Sequence, residues 1–192
     1  MVTLFIDTCN RLLAVGLEKD GVLVYKKEYD AFKKQSELLA QEIEECFNVT
    51  NTRPKEVNTI VVTNGPGSYT GIRIGLTFAK VFAASLNIEL VLVSTLFAMA
   101  GKDEKTIALI DAKGKRAYYG IYDKGNVIKQ DCVDYLENIN VDGYNLVGDT
   151  YLFNKENKES SIIENMFKIY KEIDRIEDPK LAKAIYLKDA IW

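Results

Sequence analysis

A chain of 192 residues that is 47% hydrophobic and 28% charged can build one good core or two small lobes. Its net charge of -3 and pI near 5.2 supply no global attraction to nucleic acid, which disfavours autonomous binding of RNA or DNA. The sequence has no histidine, so the commonest general base and zinc ligand are out of consideration. Cys9, Cys46 and Cys132, odd in number and widely spaced, suggest neither a disulfide framework nor a cysteine metal site. The longest mostly apolar run, Leu90 to Ala100, is interrupted by Ser94 and Thr95 and is too short for a bilayer. A cytoplasmic protein without membrane insertion is expected.

In chain order, residues 2 to 7 predict a strand ending at Asp7, followed by the loop Thr8-Cys9-Asn10 and a second strand over Leu12 to Leu17. Asp20-Gly21 has the chemistry of a two-residue hairpin turn and leads into Val22 to Tyr25. Ser36 to Phe47 reads as an amphipathic helix, with Leu39, Ile43, Cys46 and Phe47 on one side and mostly glutamates on the other. The β-branched run Thr59 to Thr63 then enters the most informative segment, Asn64 to Leu76, which spells strand, glycine turn and helix.

In that segment Gly65 and Gly67 permit a tight turn, and Ser68 or Thr70 can accept bonds from the first free amides of the helix. Such a helix start can hold an anion, so Gly65, Gly67, Ser68, Tyr69, Thr70, Gly71 and Arg73 form a candidate phosphate or nucleotide loop. Neither standard nucleotide motif fits, because the loop ends Gly71-Ile72-Arg73 and Thr70 stands where a third glycine belongs. The alternative is that the glycines serve only the turn and close helix packing.

On a helical wheel, residues 72 to 86 show two apolar stripes. Ile72, Leu76, Ala79, Ala83 and Leu86 form one, and Ile74, Phe78, Val81 and Phe82 the other, leaving Arg73, Thr77 and Lys80 as a narrow polar sector. The apolar arc covers about 220°, against the roughly 100° that a helix lying on its own core requires. Leaving the second stripe wet would forgo about 1.5 to 3 kcal/mol per large side chain, so a covering surface is expected. That cover is either the other lobe of the same chain or a second polypeptide.

Beyond this helix, Glu89 to Val93 reads as a buried strand, and Ser94 caps a short helix through Met99. The opening pattern then recurs. Thr106 to Ile110 ends at Asp111, Ala112 to Lys115 forms the loop, Ala117 to Tyr122 returns, and Asp123-Lys124-Gly125 turns into Val127-Ile128. Asp7 and Asp111 stand 104 positions apart, and so do Gly21 and Gly125. The shared offset suggests a duplication, with lobes 1–100 and 101–192. The second is abbreviated to a strand near Leu146 to Asp149 and a helix over Ile162 to Ile173, with Asn154 to Ser160 polar enough for a mobile loop. Lys113, Lys115 and Arg116 read as a solvated basic loop or, alternatively, a supporting contact to RNA held mainly by a partner, and Tyr118, Tyr119 and Tyr122 as packing residues on a strand.

Two tandem lobes, each opening with a hairpin whose first strand ends in Asp, resemble the actin-like superfamily that also holds the hexokinases. This implies an α/β fold of two actin-like, ribonuclease H-like lobes. Gly65 to Leu76 with Ala79-Lys80 closely resembles the signature of the TsaB (YeaZ) family of bacterial tRNA threonylcarbamoyladenosine synthesis. Ile6-Asp7-Thr8, Gln35-Ser36-Glu37, Ser94-Thr95-Leu96, Ile110-Asp111-Ala112-Lys113, Val147-Gly148-Asp149 and Tyr186-Leu187-Lys188 extend the resemblance over the chain.

The resemblance implies a non-catalytic partner of TsaD, the enzyme that transfers a threonylcarbamoyl group to adenosine beside the anticodon, with the ATPase TsaE joining the assembly. It implies pairing through the helices of the first lobe, as a heterodimer with TsaD or as a homodimer when alone. The expected interface residues are Ser36, Leu39, Ile43, Ile74, Phe78, Val81 and Phe82. Contact with tRNA is then indirect, no metal is expected, and no cofactor is intrinsic. ATP or ADP is expected only at the interface with the partner, near Gly65 to Thr70.

The superfamily also implies a rival reading as an autonomous ATP-dependent phosphotransferase, because Asp7 and Asp111 occupy positions where actin-like enzymes handle metal and phosphate, and Asp7 and Thr8 join the candidate phosphate loop. Magnitudes weigh against it: a helix start stabilises an exposed anion by about 0.3 to 1 kcal/mol, whereas micromolar binding takes about 8 kcal/mol. A zinc protease is ruled out by the absence of histidine.

Overall fold

The computed structural model describes residues 1–156 and 160–187. Lys188 of the closing motif and residues 157–159 of the expected mobile loop lie outside the described residues. The chain opens with an antiparallel meander of β1 (Val2–Asp7), β2 (Leu12–Lys19) and β3 (Val22–Asp30). Asp20 and Gly21 both take positive φ, at 49° and 85°, so the expected two-residue turn forms. Two further strands, β4 (Thr59–Thr63) and β5 (Glu89–Val93), run parallel to β1 on its other side.

Parallel strands need crossovers, and α2 (Tyr69–Leu86) supplies the one between β4 and β5, while α1 (Gln35–Val49) bridges β3 to β4. The alternation of β1 sends Leu4 and Ile6 to one face and Phe5 to the other. On the first face α1 and α2 cover a core that includes Leu13, Val15, Ile60 and Val62.

A second, four-stranded sheet repeats the meander in β6 (Thr106–Asp111), β7 (Arg116–Asp123) and β8 (Asn126–Tyr135), with the short β9 (Asn145–Gly148) parallel to β6. Lys124 and Gly125 repeat the positive-φ turn of Asp20 and Gly21. Tyr119 and Tyr122 are buried, as packing residues should be. The fold is therefore two tandem actin-like lobes, the second abbreviated. Between the sheets lies α3 (Thr95–Ala100), capped by the Ser94 hydroxyl, which accepts from the Phe97 amide at 3.2 Å.

The last third of the chain departs from a division at residue 100. The helix α4 (Ile162–Ile169), expected to belong to the second lobe, packs on the second face of the first sheet. There Ile163, Met166, Ile169 and Tyr170 meet Phe5, Val61 and Val91. The strand β10 (Arg175–Ile176) then adds to the edge of that sheet beside β5. A sheet of parallel strands buries both faces, and α4 closes the face that α1 and α2 leave open. The helix also stops earlier than expected, passing into a 3-10 turn over Tyr170–Glu172.

Candidate partner surface and inter-lobe cleft

The glycine segment folds as strand, turn and helix, and the first hairpin loop packs closely against it. The Ser68 hydroxyl caps α2, accepting from the Gly71 amide at 3.2 Å, while the Ser68 amide donates to the Cys9 carbonyl at 2.7 Å. Thr8 is buried and locked in place: its hydroxyl donates to the Gly71 carbonyl at 2.7 Å and accepts from the Gly75 amide at 3.1 Å. A methyl group on Gly67 would come within 2.2 Å of the Cys9 carbonyl, and one on Gly71 within 2.1 Å of the Thr8 carbonyl. These glycines let α2 approach the residue 8–9 loop, which is the packing alternative. The missing side chains of Gly67 and Gly71 are thus spent on packing, while Ser68, Thr70 and Gly71 also line an open cavity of about 420 Å³ with Asn10, Arg11 and Lys33.

Tyr69, Thr70 and Arg73 remain on the surface. Arg73 lies over the Tyr69 ring at 5.3 Å and its guanidinium donates to the Tyr69 hydroxyl at 3.0 Å, while the Tyr186 ring packs against Tyr69 at 5.3 Å. This cluster stands at one end of a groove of about 520 Å³ between α1 and α2, whose floor includes Ser36, Ala40, Ile74 and Phe78.

The expected interface residues divide into three groups. Leu39 and Ile43, expected at the interface, are 3% and 4% exposed and pack in the chain's own core, although Leu39 also lines the groove. Helical spacing placed them on one side of α1, and that side faces the sheet. Ile74, Phe78 and Phe82 are half-buried: Phe78 and Phe82 stack at 5.6 Å, and Phe47 of α1 stacks on Phe82 at 6.3 Å. The second stripe of α2 is thus partly covered within the chain. Val81, at 61% exposure, and Ser36 are free on the surface.

Asp7 lies elsewhere, at the floor of a cavity of about 220 Å³ between the lobes. It is 1% exposed; one carboxylate oxygen accepts from the Thr63 hydroxyl and, at 3.1 Å, from the Cys9 amide. The other oxygen is buried without a hydrogen-bond partner. Burial pushes the Asp7 pKa up to about 6, against the lowering pull of Thr63 and the Cys9 amide. Asp149, across the cavity, is also raised by burial. Asp111 is partly covered: burial pushes it up, but hydrogen bonds from Lys113 and Tyr151 outweigh that and hold it below its ordinary value. The structure does not bring Asp7 and Asp111 together with a third ligand, and no group of three metal-ligating side chains forms among the described residues. All three cysteines are free thiols.

A family model described as TsaD, tRNA N6-adenosine threonylcarbamoyltransferase, matches residues 29–177. The Bacillus subtilis tRNA threonylcarbamoyladenosine biosynthesis protein TsaB is 33% identical over 139 residues, covering 69% of this chain and 60% of that protein. The chain belongs to the TsaB family, within the wider TsaD family that the model describes. Escherichia coli TsaB is 28% identical over 65% of this chain and 56% of its own length. The chain therefore spans about three-fifths of the curated relatives it matches. The solved structure of YeaZ from Pseudomonas aeruginosa shares the fold at a TM-score of 0.81, with 18% identity, over 97% of this chain and 99% of that one.

Three features of this TsaB-family chain escaped the sequence reading. Gln35 is buried and its amide donates to the Asn10 carbonyl at 2.9 Å, tying the start of α1 to the first hairpin loop. Asp131 of β8 accepts from Ser94 and from Tyr122, joining the second sheet to α3. Asn64 donates to the Lys183 carbonyl at 3.0 Å and accepts, through its backbone oxygen, from the Ile185 amide at 2.7 Å, strapping the C-terminal segment beside the glycine turn. Apart from the Tyr122 bond, which spans nine positions, these bonds join residues more than twenty positions apart, beyond the reach of local spacing. No helix among the described residues is long and apolar enough to cross a membrane.

Proposed function

We propose that this chain is a non-catalytic subunit in the synthesis of threonylcarbamoyladenosine on tRNA, pairing with a TsaD-like enzyme through the α1–α2 face and working beside a TsaE-like ATPase. The observation that carries the reading is the groove between α1 and α2, where half-buried Ile74 and Phe78 adjoin exposed Val81. Apolar side chains already ordered on one wall lose little further entropy when a partner covers them, which favours docking. The same face pairs two copies of the chain when the enzyme is absent. Contact with tRNA runs through the enzyme, in keeping with the net charge of -3.

A cleft of about 220 Å³ lined by the carboxylates Asp7, Asp30 and Asp149 weighs against the autonomous phosphotransferase. ADP or ATP meets this chain at the assembled interface, beside Tyr69 and Arg73. Replacing Phe78 by Glu is expected to weaken pairing with the TsaD-like protein at least about tenfold, with little loss of fold. Sedimentation of the mixed proteins reads this directly, and unchanged association removes the α1–α2 face from the proposal. Deleting the gene is expected to lower threonylcarbamoyladenosine in digested tRNA by mass spectrometry; an unaltered level defeats the functional reading itself.

A further inference from the structure

The cavity between the lobes carries an unused recognition element that the pairing surface does not absorb. Its floor is Asp7 on one lobe and Asp149 on the other, and its walls are Leu12, Met99, Val147 and Ile162. At the rim the Arg11 guanidinium donates from Nε at 3.1 Å and from Nη2 at 2.6 Å to one Asp30 oxygen, and it also acts on Asp149. Glu28 adds to the negative field at Asp7, while Lys113 and Arg11 offset it in part only at Asp149, so the Asp7 end of the cavity favours a positive charge over phosphate.

The second, independent observation is the Asp7 oxygen that has no hydrogen-bond partner although Asp7 is 1% exposed. Buried carboxylate oxygens are ordinarily satisfied by donors, so this one marks the place where a donor belongs. Neighbouring groups are already engaged. Glu28, close enough to act on Asp7 electrostatically, accepts from the Ser161 hydroxyl at 2.7 Å and the Ile163 amide at 2.8 Å at the start of α4. The backbone amide of Asp111 takes one Asp149 oxygen at 2.7 Å.

Size and chemistry then narrow the occupant. At about 220 Å³ the cavity falls below the roughly 300 to 1,000 Å³ of drug-sized ligand sites, which leaves room for a compact molecule. A metal ion asks for several convergent ligands, and the described residues bring no three such side chains together. A primary ammonium group offers three donors on one centre, and an attached short aliphatic chain matches the apolar walls. We propose that the inter-lobe cavity is a binding site for a compact organic ammonium compound, whose N–H groups bond the unpartnered Asp7 oxygen and face Asp149 while its aliphatic part lies against Leu12, Met99 and Val147.

The test titrates the full chain with n-butylammonium chloride at constant ionic strength, following backbone amide resonances of Cys9, Val147 and Asp149 by NMR. Saturable shifts at these amides are expected. Asp7→Asn should weaken binding at least about tenfold, since it replaces a charge-assisted acceptor, and Asp149→Asn should weaken it severalfold. Asp149→Asn keeps the acceptor for the Asp111 amide, so it provides a folded variant should Asp7→Asn fail to fold. Tetramethylammonium, with the charge but no N–H donor, is expected to leave the shifts unsaturated. The proposal is overturned if n-butylammonium gives no saturable shift, if tetramethylammonium or magnesium chloride saturates the same amides as well, or if the folded Asp variants bind as tightly as the parent.

Discussion

The two lobes carry the same turn in two environments. Asp7 and Asp111 each end the first strand of a meander, and each accepts the backbone amide two residues on, at 3.1 and 2.7 Å. Asp7 is buried, with its pKa pushed up to about 6 by burial, whereas Asp111 sits among Lys113 and Tyr151 and is held below its ordinary value. The cause lies in the element that each sheet places after its next parallel strand. After β4 comes the 18-residue α2, which lies on the Asp7 loop; after β9 comes only a 3-10 turn, Thr150–Phe153, and the Asp111 loop stays wet. A repeated motif therefore says where a carboxylate sits in the backbone, and the packing above it decides its chemistry.

The most severe challenge to this contrast is to push α2 off the first loop. Gly71→Ala places a methyl group 2.1 Å from the Thr8 carbonyl, a backbone atom that cannot swing aside. A loss of about 3 kcal/mol is expected, at the upper end of overpacking effects, read from the urea midpoint. A variant as stable as the parent would mean that α2 does not bury the Asp7 loop.

Next in size is the pH dependence, where the two aspartates act with opposite sign. Between its ordinary value of 3.8 and about 6, folded Asp7 holds a proton that the unfolded chain has released, so its contribution to stability falls as pH rises through that window. At 1.36 kcal/mol per pH unit the total is about 3 kcal/mol. Asp111, held low, contributes stability above the ordinary carboxylate range that is lost as pH falls. Urea midpoints measured from about pH 4 to pH 7 should show Asp7→Asn removing the fall on the neutral side, and Asp111→Asn altering only the acid limb. Thr63→Val, which takes the hydroxyl donor from Asp7, should cost about 1 to 3 kcal/mol at neutral pH and less toward pH 4, where the carboxyl is protonated.

The meanders, their Asp-Gly and Lys-Gly turns, the glycine segment and the Ser68 and Ser94 caps were all legible, because each is written in residues adjacent in the chain. What the glycines contact was not. Thr8 and Cys9 lie about sixty positions upstream of Gly67 and Gly71, and an anion cradle and a packing notch demand the same residue type. Periodicity also identified α4 but not the sheet it covers, since Ile163, Met166 and Ile169 would make an apolar face for either lobe. Leu39 and Ile43 show the limit again: the wheel marks the apolar side of α1, and only the assembled sheet shows that side to be spent on the chain's own core.

The smallest change belongs to the wet lobe, and it is the closest check on that half of the contrast. Lys113 bonds Asp111 at 2.6 Å from a side chain that is 80% exposed, so water replaces most of what the ammonium supplies. In Lys113→Ala the carboxylate keeps the residue 113 amide at 2.7 Å and the Tyr151 hydroxyl at 3.1 Å, and stays ionised at neutral pH. No resolvable change in the urea midpoint is expected at pH 7. A loss as large as that of Thr63→Val would place Asp111 in a desolvated setting like that of Asp7, and the contrast between the lobes would then have to come from sequence rather than from the helix that covers one loop and not the other.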